Sequence, residues 1–410
     1  MISAAFIGPG TVTTAVSAGS QFGLDLLWAV TFATLGCIVL QEVSARITIA
    51  SGLTLGAAMI ASFGERKGRA AQWVVGISVM LGCAAYEAGN ILGAVSGLNL
   101  VIAWPGWLLT IIVTVASGAI LWSSRSKWIS SIMTLLVLVM GIAFAALALS
   151  QDLGPISLLK SSVVPVIPTG SELLVLGLVG TTIVPYNIFL GSGISKGQTL
   201  PLMRIGVSIS VLIGGLITAF ILLAGNSIAS FGSFHELATA MSEKVGNWGA
   251  VALAMGLFAA GFSSAITSPY AASIITSTVL GDDHKGRIRA TWMLVLLTGF
   301  VFGISGVRPI PVILAVQAIN GLILPLLAAY LILVVNDERI VTKAHMPGMI
   351  YNIVLLIILF VVLLIGLNNV DKSLIAWFGL TGSHLGLIVV VSALAGLGIA
   401  WRAYKVRSEL

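Results

Sequence analysis

Apolar runs long enough to cross a lipid bilayer follow one another along almost the whole chain. A spanning helix needs about 20 consecutive apolar residues, and short polar clusters separate stretches of that size. Charged residues make up only 8% of the sequence, whereas a soluble domain carries roughly 25%. The runs are continuous, unlike the alternating strands of an outer-membrane barrel. The sequence therefore predicts an all-α integral membrane protein in which residues 1–410 form a single transmembrane domain.

The apolar runs divide into twelve predicted spans, or eleven if the last run does not cross completely. Their approximate bounds are 3–21, 25–50, 72–98, 101–122, 128–150, 171–194, 205–229, 246–280, 289–305, 309–336, 347–368 and 375–401. Sixteen of the 20 Lys and Arg residues lie on one side of this arrangement. Cytoplasmic loops carry such an excess. We therefore predict a multi-pass protein of the inner (plasma) membrane with both termini in the cytoplasm.

The charge and the cysteines exclude several other classes of protein. The net charge of +6 is explained by the topology signals in the loops, so no nucleic-acid partner is predicted. Cys37 and Cys83 both lie in apolar runs, which indicates neither a disulfide framework nor a metal cluster. No nucleophile–base pairing or phosphate-binding loop is apparent. We predict that the chain is not an enzyme and needs no cofactor.

Proline is predicted to break the helix in the first and sixth spans. The first span includes Gly8-Pro9-Gly10-Thr11, and the sixth includes GTTIVPYNIF with Pro185 at its centre. Unwound backbone at membrane depth is tolerated only where protein or a watery cavity receives it. An inverted five-helix repeat places discontinuous helices at these two positions, with the substrate between them. The alternative is a pair of simple kinks. Polar candidates beside the breaks are Thr11, Thr13, Thr14, Thr181, Thr182, Tyr186 and Asn187.

Further polar side chains lie inside predicted spans. Glu87 in the third span has no basic neighbour in sequence, and Asn90 follows one helical turn later. A carboxylate in hydrocarbon is costly and marks proton or ion pathways, so both residues are coupling candidates. The alternative for Glu87 is a protonated side chain held by a buried hydrogen bond. In contrast, Glu42 has the i,i+4 spacing that predicts a structural ion pair with Arg46.

Two other polar groups allow two interpretations each. Ser263 and Ser264 in the eighth span either serve tight helix packing or coordinate a cation. Gln317 and Asn320 in the tenth span lie one turn apart, and such amides either join helices or line a path.

Several of these segments together resemble the NRAMP (natural resistance-associated macrophage protein) family of divalent-metal transporters, in particular its divergent magnesium-transporter-like branch. The second span's QEVSARITIASGLTLGAAM is similar to the family's Gln-Glu-x-x-x-Arg segment. VPYNIFL resembles Met-Pro-His-Asn-x-x-Leu, and Gln317 precedes Pro325 as in the family's Gln…Leu-Pro stretch. The resemblance implies a leucine-transporter-type fold of two inverted repeats, about 1–150 and 171–336, with extra helices at about 347–401. It also implies alternating access.

The chain departs from the family at the positions that hold metal. The family's motif Asp-Pro-Gly-Asn matches Gly8-Pro9-Gly10-Thr11 in this sequence. By this resemblance, Gly8 occupies the position of the metal-binding Asp and Thr11 that of the metal-binding Asn. Val184 and Tyr186 replace the sixth-span Met and His, while Gln317 is kept. The resemblance thus implies a substrate site made of Gly8, Thr11, Thr181, Val184, Tyr186, Asn187 and Gln317, with Thr11 and Gln317 as remaining metal candidates.

The family's coupling residues and its amino terminus are also altered. The Asp and Glu that the family links to proton movement match Glu87 and Asn90, so one of two carboxylates remains. Protons are therefore a candidate coupling ion. Seven residues precede Gly8, about 10 Å of helix. Family members usually have a longer amino-terminal segment, so we expect the start of the sequence as given to be truncated or misassigned.

Three functions are consistent with this pattern. The first is an NRAMP-like secondary transporter that moves a divalent metal cation through an altered site in the lipid bilayer. The second is a transporter of a monovalent cation or a small organic solute, which suits a site without carboxylates. The third is a non-transporting membrane protein of the same fold, such as a sensor or scaffold.

Overall fold

The computed structural model describes residues 7–123, 127–195, 197–229, 231–280, 285–378 and 384–408. In these ranges all the regular secondary structure is helical, and loops connect the helices. The helices are α1 (Pro9–Phe22), α2 (Leu27–Ser51), α3 (Leu55–Phe63), α4 (Glu65–Asn99), α5 (Gly106–Ser123), α6 (Lys127–Leu149), α7 (Pro155–Val163), α8 (Glu172–Thr182), α9 (Pro185–Ile194), α10 (Leu200–Asn226), α11 (Phe234–Val245), α12 (Asn247–Leu280), α13 (Lys285–Ile304), α14 (Pro309–Val335), α15 (Met349–Phe378) and α16 (Leu385–Ser408).

Eleven helical segments in these ranges are long and apolar enough to cross a membrane, with α8 and α9 counted as one. They match the second to twelfth predicted spans. Helix α1 corresponds to the first, but residues 3–6 of that prediction lie outside the described ranges. The described part of α1 has 14 residues.

Some predicted span bounds were wrong, most of them because a helix continues past the apolar layer. Helix α4 begins at Glu65 and not at 72, and α13 begins at Lys285 and not at 289. Helix α15 runs to Phe378, ten residues beyond its predicted end at 368, and α16 begins at Leu385 and not at 375. Hydropathy identifies the membrane-buried part of a helix, whereas the polar end turns also have helical hydrogen bonds.

Small residues let the central helices approach closely. A methyl group on Gly261 of α12 would lie 2.5 Å from the backbone nitrogen of Ala94 in α4. A methyl group on Gly19 of α1 would lie 2.0 Å from the Leu222 carbonyl oxygen of α10. Because lipid tails are as apolar as the side chains, association of spans relies on such close packing. These contacts hold α1 and α4 firmly in the interior.

A buried ionic cluster joins three spans. The predicted Glu42–Arg46 ion pair is confirmed, with Arg46 Nη2 2.5 Å from Glu42 Oε1. Arg204 of α10 donates to the same oxygen at 2.8 Å, and the Tyr351 hydroxyl of α15 donates to Oε2 at 2.7 Å. The Glu42 side chain is only 7% exposed. One carboxylate on α2 therefore holds α10 and α15 in place.

A second carboxylate, Asp337, ties the end of α14 to α3. Its Oδ2 accepts hydrogen bonds from the Ser62 hydroxyl at 2.6 Å and from Arg339 Nη2 at 2.6 Å. Burial opposes ionisation, but these bonds outweigh it and hold the pKa of Asp337 below its ordinary value. The charged form is therefore the one that links the two helices.

We expect Glu42→Gln to destabilise the protein by about 3 kcal/mol, because it leaves the buried Arg46 charge without its carboxylate counter-charge. The measurement is thermal unfolding of the detergent-purified protein. Glu65→Gln is the matched control, since the Glu65–Arg69 pair has the same i,i+4 spacing but its side chains are 76% and 68% exposed. Equal effects of the two substitutions would show that the cluster does not join the spans.

Candidate functional site

The first break is formed by Gly8 and Pro9. Gly8 is extended and caps α1, and Pro9 is the first helical residue, a position where its missing N–H is harmless. The Gly8 N–H donates to Thr11 Oγ1 at 3.4 Å, and the Gly8 carbonyl accepts from the Thr11 N–H at 3.0 Å. The predicted half-helix before Gly8 lies mostly outside the described residues, so this break is defined here from its carboxyl side.

The second break is confirmed between α8 and α9. Helix α8 ends at Thr182 and α9 begins at Pro185. Proline has no N–H to reach the carbonyl of Thr181, four residues earlier. The carbonyls of the last turn of α8 are therefore available as acceptors inside the protein.

The two breaks meet each other. The hydroxyls of Thr11 and Thr181, 170 positions apart in sequence, lie 3.0 Å apart in a buried hydrogen bond. Helix α14 adds Gln317, whose amide lies against Gly10: a methyl group on Gly10 would be 1.9 Å from Gln317 Nε2. Only a glycine allows this approach. The structure thus brings Thr11, Thr181 and Gln317 into one buried cluster around the first break.

Several oxygens near this cluster lack hydrogen-bond partners. Gln317 Oε1, Thr13 Oγ1 and Thr14 Oγ1 are buried and have none within the described residues. A methyl group on Gly177 of α8 would lie 3.7 Å from Gln317 Cβ and 3.8 Å from Thr14 Oγ1, so these side chains are close neighbours. A buried oxygen without a partner is costly. Such oxygens are the hard, neutral ligands that a cation or its hydration water can satisfy.

The other predicted site residues surround the second break. Val184 and Tyr186 are buried. The Tyr186 ring packs against Tyr86 of α4 in an edge-to-face pair, with centroids 5.4 Å apart. Asn187 is buried in the first turn of α9, and its N–H donates to the Val184 carbonyl at 3.1 Å. Val184 therefore presents apolar surface at the break.

The side chain of Glu87, a residue of α4, is buried against α13. Its side chain is 0% exposed, and Asn90 Nδ2 donates to Oε2 at 3.3 Å. The second oxygen, Oε1, has no partner among the described residues. A methyl group on Gly299 of α13 would lie 2.9 Å from Glu87 Cγ, so the neighbouring helix packs directly on this side chain. Glu87 and Asn90, one helical turn apart in sequence, are therefore in contact.

The two ambiguous polar groups are now located. A methyl group on Gly8 would lie 3.6 Å from Ser264 Oγ, so this serine of α12 adjoins the first break. Asn320 donates to the Val316 carbonyl of its own helix at 3.0 Å, and its Oδ1 lies against Gly82 of α4. Asn320 therefore serves contact between α14 and α4.

Sequence reasoning missed one residue of the site, Tyr86. Its hydroxyl donates to the Gly180 carbonyl at 2.8 Å, one residue before Thr181. An aromatic residue within an apolar run is typical of any buried helix, so the sequence contained no signal that singled it out.

The charge of the site is distinctive. No group of three or more His, Cys, Asp or Glu residues able to hold a metal occurs in the described ranges. Thr11, Thr181 and Gln317 carry no charge, so any cation bound there interacts with dipoles alone.

Comparisons with known proteins agree with this architecture. The family model described as natural resistance-associated macrophage protein-like matches residues 1–370. A divalent metal cation transporter, MntH, of Mycobacterium tuberculosis is 26% identical over 299 residues, covering 67% of this chain and 68% of that protein. The MntH of Bacillus subtilis is 25% identical over 362 residues, covering 82% of each.

Solved structures show the same fold. The manganese transporter of Eremococcus coleocola, in a mutant form, superposes with a TM-score of 0.75 at 17% identity, covering 99% of this chain and 91% of that one. A nucleobase-cation-symport-1 family transporter in a closed conformation gives a TM-score of 0.59 at 13% identity, covering 100% and 94%. With the family model matching most of its length, the chain belongs to the natural resistance-associated macrophage protein-like family and has the leucine-transporter-type fold.

Proposed function

We propose that the protein is an alternating-access transporter that moves a divalent metal cation through a neutral oxygen site between its two helix breaks. The observation that carries this proposal is the unpartnered, buried Gln317 Oε1 beside Gly10 and the Thr11–Thr181 contact. A buried acceptor oxygen without a partner needs an explanation, and a bound cation or its hydration water supplies one. The printed names of the relatives, divalent metal cation transporters, support the same substrate class.

The site chemistry determines how such an ion is held. Gly8, Thr11 and Val184 stand where the family has an Asp, an Asn and a Met, so both the charge and the soft ligand are gone. Mg²⁺ keeps several of its waters, and hydroxyl and amide oxygens can accept hydrogen bonds from that hydration shell. We therefore propose weak binding of a largely hydrated ion, with little preference for the softer transition metals.

A second candidate is a transporter of a monovalent cation or small organic solute. It is favoured by the same neutrality of Thr11, Thr181 and Gln317, since removing water from a divalent ion is much more costly without a counter-charge.

We further propose that residues of about 1–150 and 171–336 form the two inverted repeats, with α15 and α16 as additional helices. The excess of Lys and Arg on one side supports cytoplasmic termini. Glu87, the buried carboxylate that follows Tyr86 in α4, is proposed as the residue that carries coupling protons, with Asn90 as its partner.

The direct test is isothermal titration calorimetry of the purified protein with Mg²⁺ and Mn²⁺, followed by Na⁺ and K⁺. We expect a divalent ion to bind with millimolar or tighter affinity, and Gln317→Leu to weaken it about tenfold by removing the acceptor oxygen. Gln72→Leu is the control, because that amide bridges to the Thr278 carbonyl instead. If neither divalent ion gives a measurable heat of binding and a monovalent ion does, the second candidate is favoured.

Gly8→Asp should raise Mn²⁺ affinity at least about tenfold by restoring a charge at the break. The backbone accepts a side chain there, because Gly8 has an ordinary negative φ of −106° and a methyl group would make only van der Waals contact with Ser264. Titration of Mn²⁺ into the variant is the measurement. Gly8→Asn is the neutral control of equal size. If Asp and Asn variants bind alike, the lost charge does not explain the altered site.

Glu87→Gln should abolish the pH dependence of cation uptake into proteoliposomes, because the amide cannot exchange a proton. The fold should persist, since Gln retains the size and the contact with Asn90. Glu65→Gln, at an exposed surface position, should leave the pH profile as in the wild type. A pH dependence that survives Glu87→Gln would rule out Glu87 as the proton carrier.

A further inference from the structure

Tyr86 contacts the break of the sixth span from both sides. Before the break, its hydroxyl donates to the Gly180 carbonyl at 2.8 Å. After the break, its ring packs edge to face on Tyr186, with an interplanar angle of 90°. The side chain is buried. One residue of α4 thus holds both half-helices of a different span.

The hydrogen bond replaces a backbone donor that the break removes. The last carbonyls of a helix have no partner within it. At the end of α8, the Ile183 N–H still reaches the Val179 carbonyl at 2.8 Å. The next carbonyl in line, that of Gly180, receives the Tyr86 hydroxyl. The end of α8 is therefore defined by a side chain from α4.

The position of Gly180 affects both parts of the candidate site. A methyl group on Gly180 would lie 2.3 Å from the Gln317 carbonyl oxygen, so the residue packs directly on the backbone of α14. Its neighbour Thr181 bonds Thr11 across the two breaks. Movement of Gly180 would therefore change the spacing between α1, α8 and α14 around the site.

Tyr86 also adjoins the coupling candidate in α4. Consecutive residues of a helix point about 100° apart. Tyr86 faces the break, while Glu87 faces α13, where Gly299 packs on it. A rigid helix turn therefore connects the break to the buried carboxylate.

We propose that Tyr86 is a positioning residue that sets the geometry of the sixth-span break and transmits cation occupancy of the break to the Glu87 segment of α4. The second part rests on the proposed function, whereas the first part holds for the protein without any substrate. Tyr86 acts through Gly180 and Tyr186 and need not touch the ion itself.

The test is Tyr86→Phe, which keeps the ring pair and removes only the hydroxyl. Tyr330→Phe is the matched control: that hydroxyl is also buried and also donates to a distant carbonyl, of Leu55. Both variants should lose similar thermal stability. Only Tyr86→Phe should weaken Mg²⁺ or Mn²⁺ binding, about tenfold. Wild-type affinity in Tyr86→Phe, or equal weakening in both variants, would overturn the proposal.

Amide hydrogen exchange separates this proposal from the proposed function. Without added cation, Tyr86→Phe should accelerate exchange at 183–188 several-fold, whereas Tyr330→Phe should act near 55–58 instead. Unchanged exchange at the break would overturn the positioning role. If wild-type protein binds no tested cation, the proposed function fails, and this ligand-free comparison still decides whether Tyr86 positions the break.

Hydrogen exchange in the presence of saturating Mg²⁺ tests the transmission of cation occupancy, which a purely structural role of Tyr86 would not affect. In the wild type it should slow exchange at 84–90, around Glu87. In Tyr86→Phe, the same occupancy should leave exchange there unchanged. Equal protection in both proteins would show that cation binding reaches α4 by another route.

Discussion

Backbone polar groups cannot stay unsatisfied in a membrane, and the rest of this structure follows from how two broken helices meet that requirement. Pro185 stops α8 and frees carbonyls of its last turn, and Gly8 and Pro9 start α1 inside the protein. The freed groups can be satisfied only by neighbouring helices or by a ligand. That requirement draws α1, α4, α8 and α14 together at one place, and the small residues at their contacts permit the approach.

The site that results differs in kind from a charged metal site. Thr11, Thr181 and Gln317 provide oxygen atoms without formal charge, so attraction to a cation comes from dipoles alone. Dipoles replace some of the hydration that an ion loses, but they do not offset the full desolvation of a divalent ion. This balance between dipole attraction and desolvation cost is consistent with transport of a partly hydrated ion. The fold is that of the family, whereas the proposed site is neutral, so the architecture does not by itself fix the chemistry of the site.

Two of the three buried carboxylates among the described residues join helices. Glu42 gathers Arg46, Arg204 and Tyr351 at a junction of three spans, and Asp337 links α14 to α3. Glu87 is the exception, because its only described side-chain partner is the neutral amide of Asn90. A buried carboxylate without a basic partner has no structural need for its charge, which is why it is the candidate for moving protons.

The sequence by itself determined the membrane class, the approximate spans, the two breaks and the short-range pair Glu42–Arg46. These features depend on hydropathy over about 20 residues, on proline geometry and on i,i+4 spacing, all of which are local. It also identified the family through segments distributed along the chain.

Only the tertiary structure decided which of the candidate side chains contact one another. The Thr11–Thr181 bond joins residues 170 positions apart, the Gln317 amide rests on Gly10, and Tyr86 satisfies the Gly180 carbonyl across 94 positions. No periodicity records such pairings, because they result from how whole helices pack. The helix ends at Glu65 and Phe378 also needed the structure, since hydropathy reports the lipid layer and not the hydrogen bonds that continue beyond it.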